Sequence, residues 1–258
     1  RQWPLVREVI NGEQTAALVK ALDGPSAGRW MIVRLAAGRV ESLGDATLDD
    51  WAARAADAVM TEGASRLITL PGPAGEVRLF VEVLRPPVRL IICGAGHDAV
   101  PVVEFASALG WRTVIVDQRQ RFLNPQRFPG AQRFIHAEPA AAADAVPIDD
   151  RTYVVVMTHN YLHDRDLLRG FLATPVRYIG MLGPRLRTEK ILDALAASGT
   201  SITSQDRARI YGPIGLDIGG EGAEAIALAL LAEIHAVEAD RTGGLLRDRK
   251  GPIHATVR

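Results

Sequence analysis

The chain has 258 residues, with 30 basic and 30 acidic side chains and no formal net charge. Apolar residues make up 48% and charged residues 23%, globular proportions that exclude a disordered or collagen-like chain. Balanced charge argues against a nucleic-acid partner held by bulk electrostatics, and the single cysteine, Cys93, excludes a disulfide framework or a multi-cysteine metal site within the chain. No apolar run approaches the roughly 18 residues of a membrane helix, and no basic-then-apolar leader opens the chain. A cytoplasmic location with no membrane partner is therefore expected. The first residue is Arg1 rather than methionine, so the natural start is expected upstream.

Residues 5–10 read as a short helix, and residues 15–22, 29–35 and 39–43 as strands parted by glycine-containing turns. Thr47 reads as an N-cap, with Asp49 and Asp50 in the first helical turn, where the helix dipole favours carboxylates. Trp51, Ala55, Ala58 and Val59 supply an apolar stripe at helical spacing. Strands at 66–70 and 76–84 complete a small α+β domain over residues 1–86. The paired prolines of Leu84-Arg85-Pro86-Pro87-Val88 then make a stiff connector.

Over residues 87–258 the rhythm changes. Runs at 90–93, 113–116, 153–157 and 178–182 are short, rich in β-branched residues and separated by helical patterns, and 133–136 and 210–211 add two further strands. Strands apolar on both faces that alternate with helices imply a parallel sheet covered on both sides. The expected architecture is α/β, a Rossmann-like domain preceded by the small α+β domain. Residues 221–238 read as a closing helix buried on more than one side.

The first strand of that domain, Leu90-Ile91-Ile92-Cys93, runs into Gly94-Ala95-Gly96-His97-Asp98-Ala99, a G-x-G-x-x-A turn that opens a helix. Gly94 suits the tight turn, Gly96 lets backbone approach a pyrophosphate, and the small Ala99 lets the helix pack closely. Free amides at the helix start then face an anion, with His97 beside them. Asp117 ends the next strand about 20 residues on, where a carboxylate meets ribose hydroxyls. Arg112, Arg119, Arg121, Arg127 and Arg133 make its surroundings basic. Cys93 lies inside a buried strand and reads as inert packing.

Ligands of open α/β sheets gather at the carboxyl ends of strands. Three more such ends carry polar or special residues: Thr158 and His159, then Gly183 and Arg185, then Pro213, Gly215 and Asp217. No H-E-x-x-H pattern occurs, and no metal ligand and no catalytic nucleophile is assigned.

Gly94-Ala95-Gly96-His97, Val116-Asp117, Thr158-His159, Tyr178-Ile179-Gly180-Met181-Leu182-Gly183 and Pro213-Ile214-Gly215-Leu216-Asp217-Ile218-Gly219 occur in an order that resembles the XdhC/CoxI family. These are accessory proteins for xanthine dehydrogenase and related molybdenum hydroxylases. The resemblance runs over residues 88–240. It implies binding of molybdenum cofactor (molybdopterin), support of its sulfuration and delivery to the apo-hydroxylase, with a cysteine desulfurase as a further partner. The role implied is that of a chaperone rather than a turnover enzyme.

The family's first domain carries a Gly-Gly-Cys stretch and a later Cys-Gly stretch. Here the nearest positions read Gly44-Asp45-Ala46-Thr47 and Gly72-Pro73-Ala74-Gly75, without cysteine. Its T-H-D-H segment reads Thr158-His159-Asn160-Tyr161, from which Thr158, His159 and the later Asp164 carry over. A homodimer is expected, since a sheet edge or the small domain would otherwise stay uncovered.

Two other readings use the same residues. An NAD(P)-dependent oxidoreductase would take His159 as proton donor, Asp117 for NAD, and Arg119 or Arg121 for the 2′-phosphate of NADP. A bare interaction module would keep the nucleotide fold only as a scaffold.

Overall fold

Antiparallel pairing builds the first part of the chain around one helix. The structure is a computed structural model that describes residues 2–34, 38–72 and 75–251. Leu35, Pro73 and Ala74, on which two of the sequence readings fall, lie outside the described residues. The chain divides into two units, one running up to Pro86 and taking in the segment from Leu246, the other Pro87–Leu245.

In the first unit, α1 (Gln2–Asn11), β1 (Ala16–Ala21), β2 (Trp30–Arg34) and β3 (Gly38–Glu41) precede α2 (Ala46–Glu62), followed by β4 (Arg66–Gly72) and β5 (Gly75–Leu84). The strands pair antiparallel in the order β3-β2-β1-β5-β4. Leu48, Ala52, Ala56, Val59 and Met60 of α2 pack on Val19, Met31, Leu79 and Val81 of the sheet. The expected stripe is thus out of phase: of its four members Val59 is fully buried, while Ala58 is exposed. Alanines at 52, 53, 55, 56 and 58 give no contrast in size, so the phase is set by Leu48, which the sequence stripe passed over.

The cap also differs from expectation. Asp45, not Thr47, caps α2, its carboxylate accepting the Leu48 amide at 2.8 Å. Asp49 does not serve the helix dipole from solvent. It is buried, accepting the Leu43 amide at 2.7 Å and the Ser42 hydroxyl at 2.6 Å, and so holds the loop after β3 onto α2.

The second unit contains β6 (Arg89–Cys93), α3 (Ala99–Ala108), β7 (Arg112–Asp117), β8 (Arg133–His136), α4 (Ala142–Ala145), β9 (Thr152–Val156), α5 (Tyr161–Leu172), β10 (Tyr178–Met181), α6 (Arg185–Ala197), α7 (Ser204–Ala208), β11 (Ile210–Tyr211) and α8 (Ala223–Glu238). Its six strands are parallel, in the order β11-β10-β9-β6-β7-β8. Every residue of β6, β9 and β10 is buried, as expected of strands covered on both faces.

Alternation along β6 assigns the two cores. Leu90 and Ile92 pack with Val102, Val103 and Ala106 of α3 and with Leu230 and Ile234 of α8. Ile91 and Cys93 point the other way, to Leu167, Leu168 and Phe171 of α5 and Ile191 and Leu195 of α6. The closing helix α8 buries a broad face but leaves Leu228 56% exposed. The order of strands reverses between β6 and β9, with β7 and β8 on one side and β10 and β11 on the other. That reversal opens a crevice at the carboxyl ends of β6 and β9. Among the described residues, no helix is long and apolar enough to cross a membrane.

Substituting Asp49→Ala leaves the buried Leu43 amide without its acceptor, which costs about 1–3 kcal/mol. Urea denaturation of the variant should show a loss of that size. A change near zero would mean the loop is held by other contacts.

Candidate functional site

The turn after β6 has almost no freedom at Gly94. Its φ is +118°, and a Cβ there would lie 2.6 Å from the Met157 carbonyl oxygen at the end of β9. Glycine is therefore required for β6 and β9 to sit side by side at the reversal. The Gly94 amide donates to the Val116 carbonyl at 2.9 Å, and the Ala95 amide donates to Asp117 Oδ2 at 2.7 Å. From behind, the Arg127 guanidinium donates to the Ala95 carbonyl at 3.1 Å and the Gly96 carbonyl at 3.4 Å.

Beyond that point the amides are unclaimed. Among the described residues, the amides of Gly96, His97 and Asp98 have no hydrogen-bond acceptor. A Cβ on Gly96 would meet nothing within 4 Å, so the fold does not require glycine there. Ala99 is fully buried under the start of α3, and His97 is exposed. Bare backbone and free amides at the head of a helix make a place that an anion can approach.

Asp117 lies at the end of β7, as expected, but faces its own chain rather than a ribose. Oδ2 accepts the Ala95 amide and Arg119 Nη2 at 2.7 and 2.8 Å, and Oδ1 accepts the Arg119 amide and Nε at 2.8 and 2.9 Å. Burial pushes this carboxyl up. The Arg119 side chain and the two backbone amides outweigh it, so its pKa lies below the ordinary value. The Arg119 guanidinium in turn lies over the Phe122 ring, 3.9 Å from its centre.

At the end of β9, the Thr158 hydroxyl donates to Asp164 Oδ1 at 2.5 Å. Asp164 is 1% exposed and also accepts Arg187 Nη2 at 2.6 Å and Nε at 3.2 Å. Gly183, with φ +119°, leaves room for Arg187: a Cβ there would lie 3.2 Å from its Cδ. His159 adopts φ +58° and places Nε2 3.0 Å from Asp98 Oδ2, joining the end of β9 to the head of α3. Asn160 caps α5, accepting the Leu162 and His163 amides at 3.0 and 3.2 Å.

Asp117, Thr158 and His159 thus line one cavity of about 370 Å³, together with Gln118, Arg119, Asn160 and His163. The turn residues Gly94, Gly96, His97 and Ala99 stand at its side, linked through the Asp98–His159 pair. Arg185 lies outside. It is exposed and makes no hydrogen bond among the described residues, while Arg187 two positions on points inward.

Pro213, Gly215 and Asp217 follow β11 on the same edge of the parallel sheet but belong to the α8 side. The Ile214 amide donates to the Met181 carbonyl at 3.2 Å, and the Gly215 amide donates to Glu233 Oε2 at 3.0 Å. Glu233 also accepts the Tyr178 hydroxyl at 2.5 Å; burial first, and this carboxylate second, push the Tyr178 pKa well above its usual value. Pro213 and Asp217 do not reach inward, and none of the three lines the cavity.

Cys93 is buried, and burial pushes its thiol pKa far up, so it is a packing residue as its place in the strand suggested. No group of three or more His, Cys, Asp or Glu side chains among the described residues could hold a metal ion. Arg187, Glu233 and the bracing role of Arg127 escaped the sequence reading, because each acts on a partner distant in sequence.

The depressed Asp117 carboxyl has a pH consequence. Its contribution to stability is complete above the ordinary carboxylate value of about 4 and is lost as pH falls through the lower folded pKa. Denaturation of the wild type and of Asp117→Asn, run from about pH 6 to about pH 2, should show the wild-type advantage shrinking toward the acid end. A constant difference would mean that the charge is not what holds the turn.

Known proteins share this arrangement of strands and turns. The XdhC Rossmann domain pattern matches residues 90–234, more than half of the chain. An uncharacterized Escherichia coli protein, YqeB, is 32% identical over 182 residues, 70% of this chain and 32% of that protein. A Bacillus subtilis protein described as a probable xanthine dehydrogenase subunit is 34% identical over 156 residues, 60% of this chain and 44% of that protein. The chain therefore spans about a third of one of these curated relatives and less than half of the other. A crystal structure of a xanthine dehydrogenase from Bacillus halodurans shares the fold with a TM-score of 0.57 at 20% identity, covering 94% of this chain and 97% of that one. The chain belongs to the XdhC family.

Proposed function

We propose that this protein is an accessory factor of a molybdenum hydroxylase of the xanthine dehydrogenase type, which holds molybdenum cofactor as cargo and delivers it to the apo-enzyme. The observation that carries this reading is the contrast between the two turn glycines. Packing demands Gly94, whereas Gly96 stands in open space beside three unclaimed amides. A glycine that the fold does not need is explained by a ligand that needs the room. Molybdopterin ends in a phosphate, which suits amides at a helix head with His97 beside them. The relation to a probable xanthine dehydrogenase subunit points to the client class.

The roles of the chain's own residues follow. Gly96, His97 and Asp98 bind the phosphate through backbone. Thr158, fixed by Asp164 and Arg187, and His159, fixed by Asp98, offer polar edges to the pterin. The one cysteine, Cys93, is buried where the sheet meets the cavity, and burial pushes its thiol pKa up, which disfavours the reactive thiolate. In this reading the sulfur for sulfuration comes from a partner such as a cysteine desulfurase, and the protein acts as the holder rather than as the sulfur carrier. The hydride-transfer reading asks Asp117 to meet a ribose, and both its oxygens are already taken by Ala95 and Arg119.

Expression in a host that makes molybdenum cofactor should yield protein that carries a pterin, detected by fluorescence after oxidation. Gly96→Val should lose the pterin while keeping stability within about 0.5 kcal/mol. Gly94→Ala should instead lose about 2 kcal/mol or more from backbone strain and overlap. Pterin-free wild type, or a fully loaded Gly96→Val, would contradict the proposal.

A further inference from the structure

The loop that joins β7 to β8 carries a surface that the cofactor reading does not use. Residues 118–137 include Arg119, Arg121, Arg127, Arg133 and His136 and no carboxylate, in a chain whose acids and bases balance overall. The loop is closely tied down. Leu123 and Phe128 are buried in the core shared with α3 and α8. The Phe122, Leu123, Asn124 and Arg127 amides all donate to carbonyls within the loop.

On this frame three guanidiniums converge on one ring. Those of Arg119, Arg121 and Arg127 lie 3.9, 5.3 and 5.3 Å from the centre of the Phe122 ring. The ring attracts each of them but cancels none of the charge. Arg119 is neutralised by Asp117. Arg127 donates to the Ala95, Gly96 and Phe122 carbonyls, which carry no net charge. Arg121 is exposed and makes no hydrogen bond or ion pair among the described residues. Two like charges thus stand beside one ring without a carboxylate partner, and an anion that reaches them relieves their repulsion.

Position selects the kind of anion. Arg119 lines the cavity, whereas Arg121, Phe122 and Arg127 do not, so these three stand outside the small-molecule space. Arginine and aromatic side chains are the types that carry binding energy between proteins, and the sign here asks for carboxylates. The chain has no net charge to draw in a nucleic acid or a membrane at long range. Arg127 also joins this surface to the turn after β6, because the guanidinium beside Phe122 is the one that donates to Ala95 and Gly96. A partner seated on the loop would lie next to the place assigned to the phosphate.

We propose that Arg121, Phe122 and Arg127 form a docking surface for an acidic segment of the protein that receives the cofactor. The identity of the recipient rests on the proposed function; the carboxylate chemistry that the surface selects does not.

Fluorescence anisotropy of the full chain with a labelled hexaglutamate peptide tests the surface apart from the cofactor. The wild type should bind the peptide, and more weakly as salt rises from about 50 to about 300 mM. Arg121→Glu should weaken binding at least about tenfold, while Arg121→Lys should keep most of it. Arg185→Glu reverses an equally exposed arginine on α6 and should bind as the wild type does, which separates this surface from net charge. In a host that makes molybdenum cofactor, Arg121→Glu should load pterin normally yet pass it to an apo-hydroxylase of the xanthine dehydrogenase type at least about fivefold more slowly. A wild type that ignores the peptide, equal losses in Arg121→Glu and Arg185→Glu, tighter binding of a labelled decathymidylate, or undiminished transfer by Arg121→Glu would each overturn the inference. Pterin-loaded protein that ignores the peptide would reject the docking surface and leave the cofactor reading standing. Peptide binding by a protein that never carries pterin would uphold the surface and overturn the recipient assigned to it.

Discussion

The carboxylate of Asp117 ties the end of β7 to the turn that follows β6, and the geometry of the rim follows from that tie. By accepting the Ala95 amide at 2.7 Å it fixes the first peptide beyond Gly94, and the next three amides have no acceptor among the described residues. By accepting three donors from Arg119 it also parks a guanidinium at the edge of the cavity. A buried charge is tolerable only when its lone pairs are filled, and here each oxygen has two donors. One side chain thereby shapes both the turn and the polarity of the space beside it.

Gly94 and Thr158 extend this arrangement across the reversal of strand order. The turn can lie on β9 because Gly94 has no Cβ, and Thr158, where β9 ends, is anchored below by the Asp164–Arg187 pair. The rim is therefore preorganised on strand ends rather than on long loops, which favours discrimination of a ligand's shape and charge. The exposed His97 and the His159–Asp98 pair lie on the solvent side of this otherwise buried frame.

Much of the fold could be read from residue order. The strands of the second unit were legible because β-branched runs sit between glycine-rich turns and helical stretches, and each run maps to a parallel strand. The phase of α2 was not legible, since a helix of alanines offers several equivalent faces and Leu48 decides among them only through the sheet. At the rim, the turn and the ends of the strands were visible as local patterns. Their supports were not: Asp164 finds Arg187 across 23 residues, Gly215 finds Glu233 across 18, and Tyr178 finds Glu233 across 55. The choice between Arg185 and Arg187 depends on which side of α6 turns toward Asp164, and spacing along the chain is silent on that. Asp117 was placed correctly on its strand. Its oxygens proved committed to Ala95 and Arg119, a competition that only three-dimensional neighbours reveal.

In the proposed role, the acceptor-free amides of Gly96, His97 and Asp98 anchor a phosphate-bearing small molecule. Amide-resolved NMR of the isotope-labelled protein during titration with a molybdopterin preparation measures that anchor without relying on activity. The largest shifts should fall on those three amides, with the Ala95 amide, already bonded to Asp117, moving much less. Undisturbed signals at residues 96–98, with the shifts falling on the α8 side around Gly215 and Asp217, would contradict it.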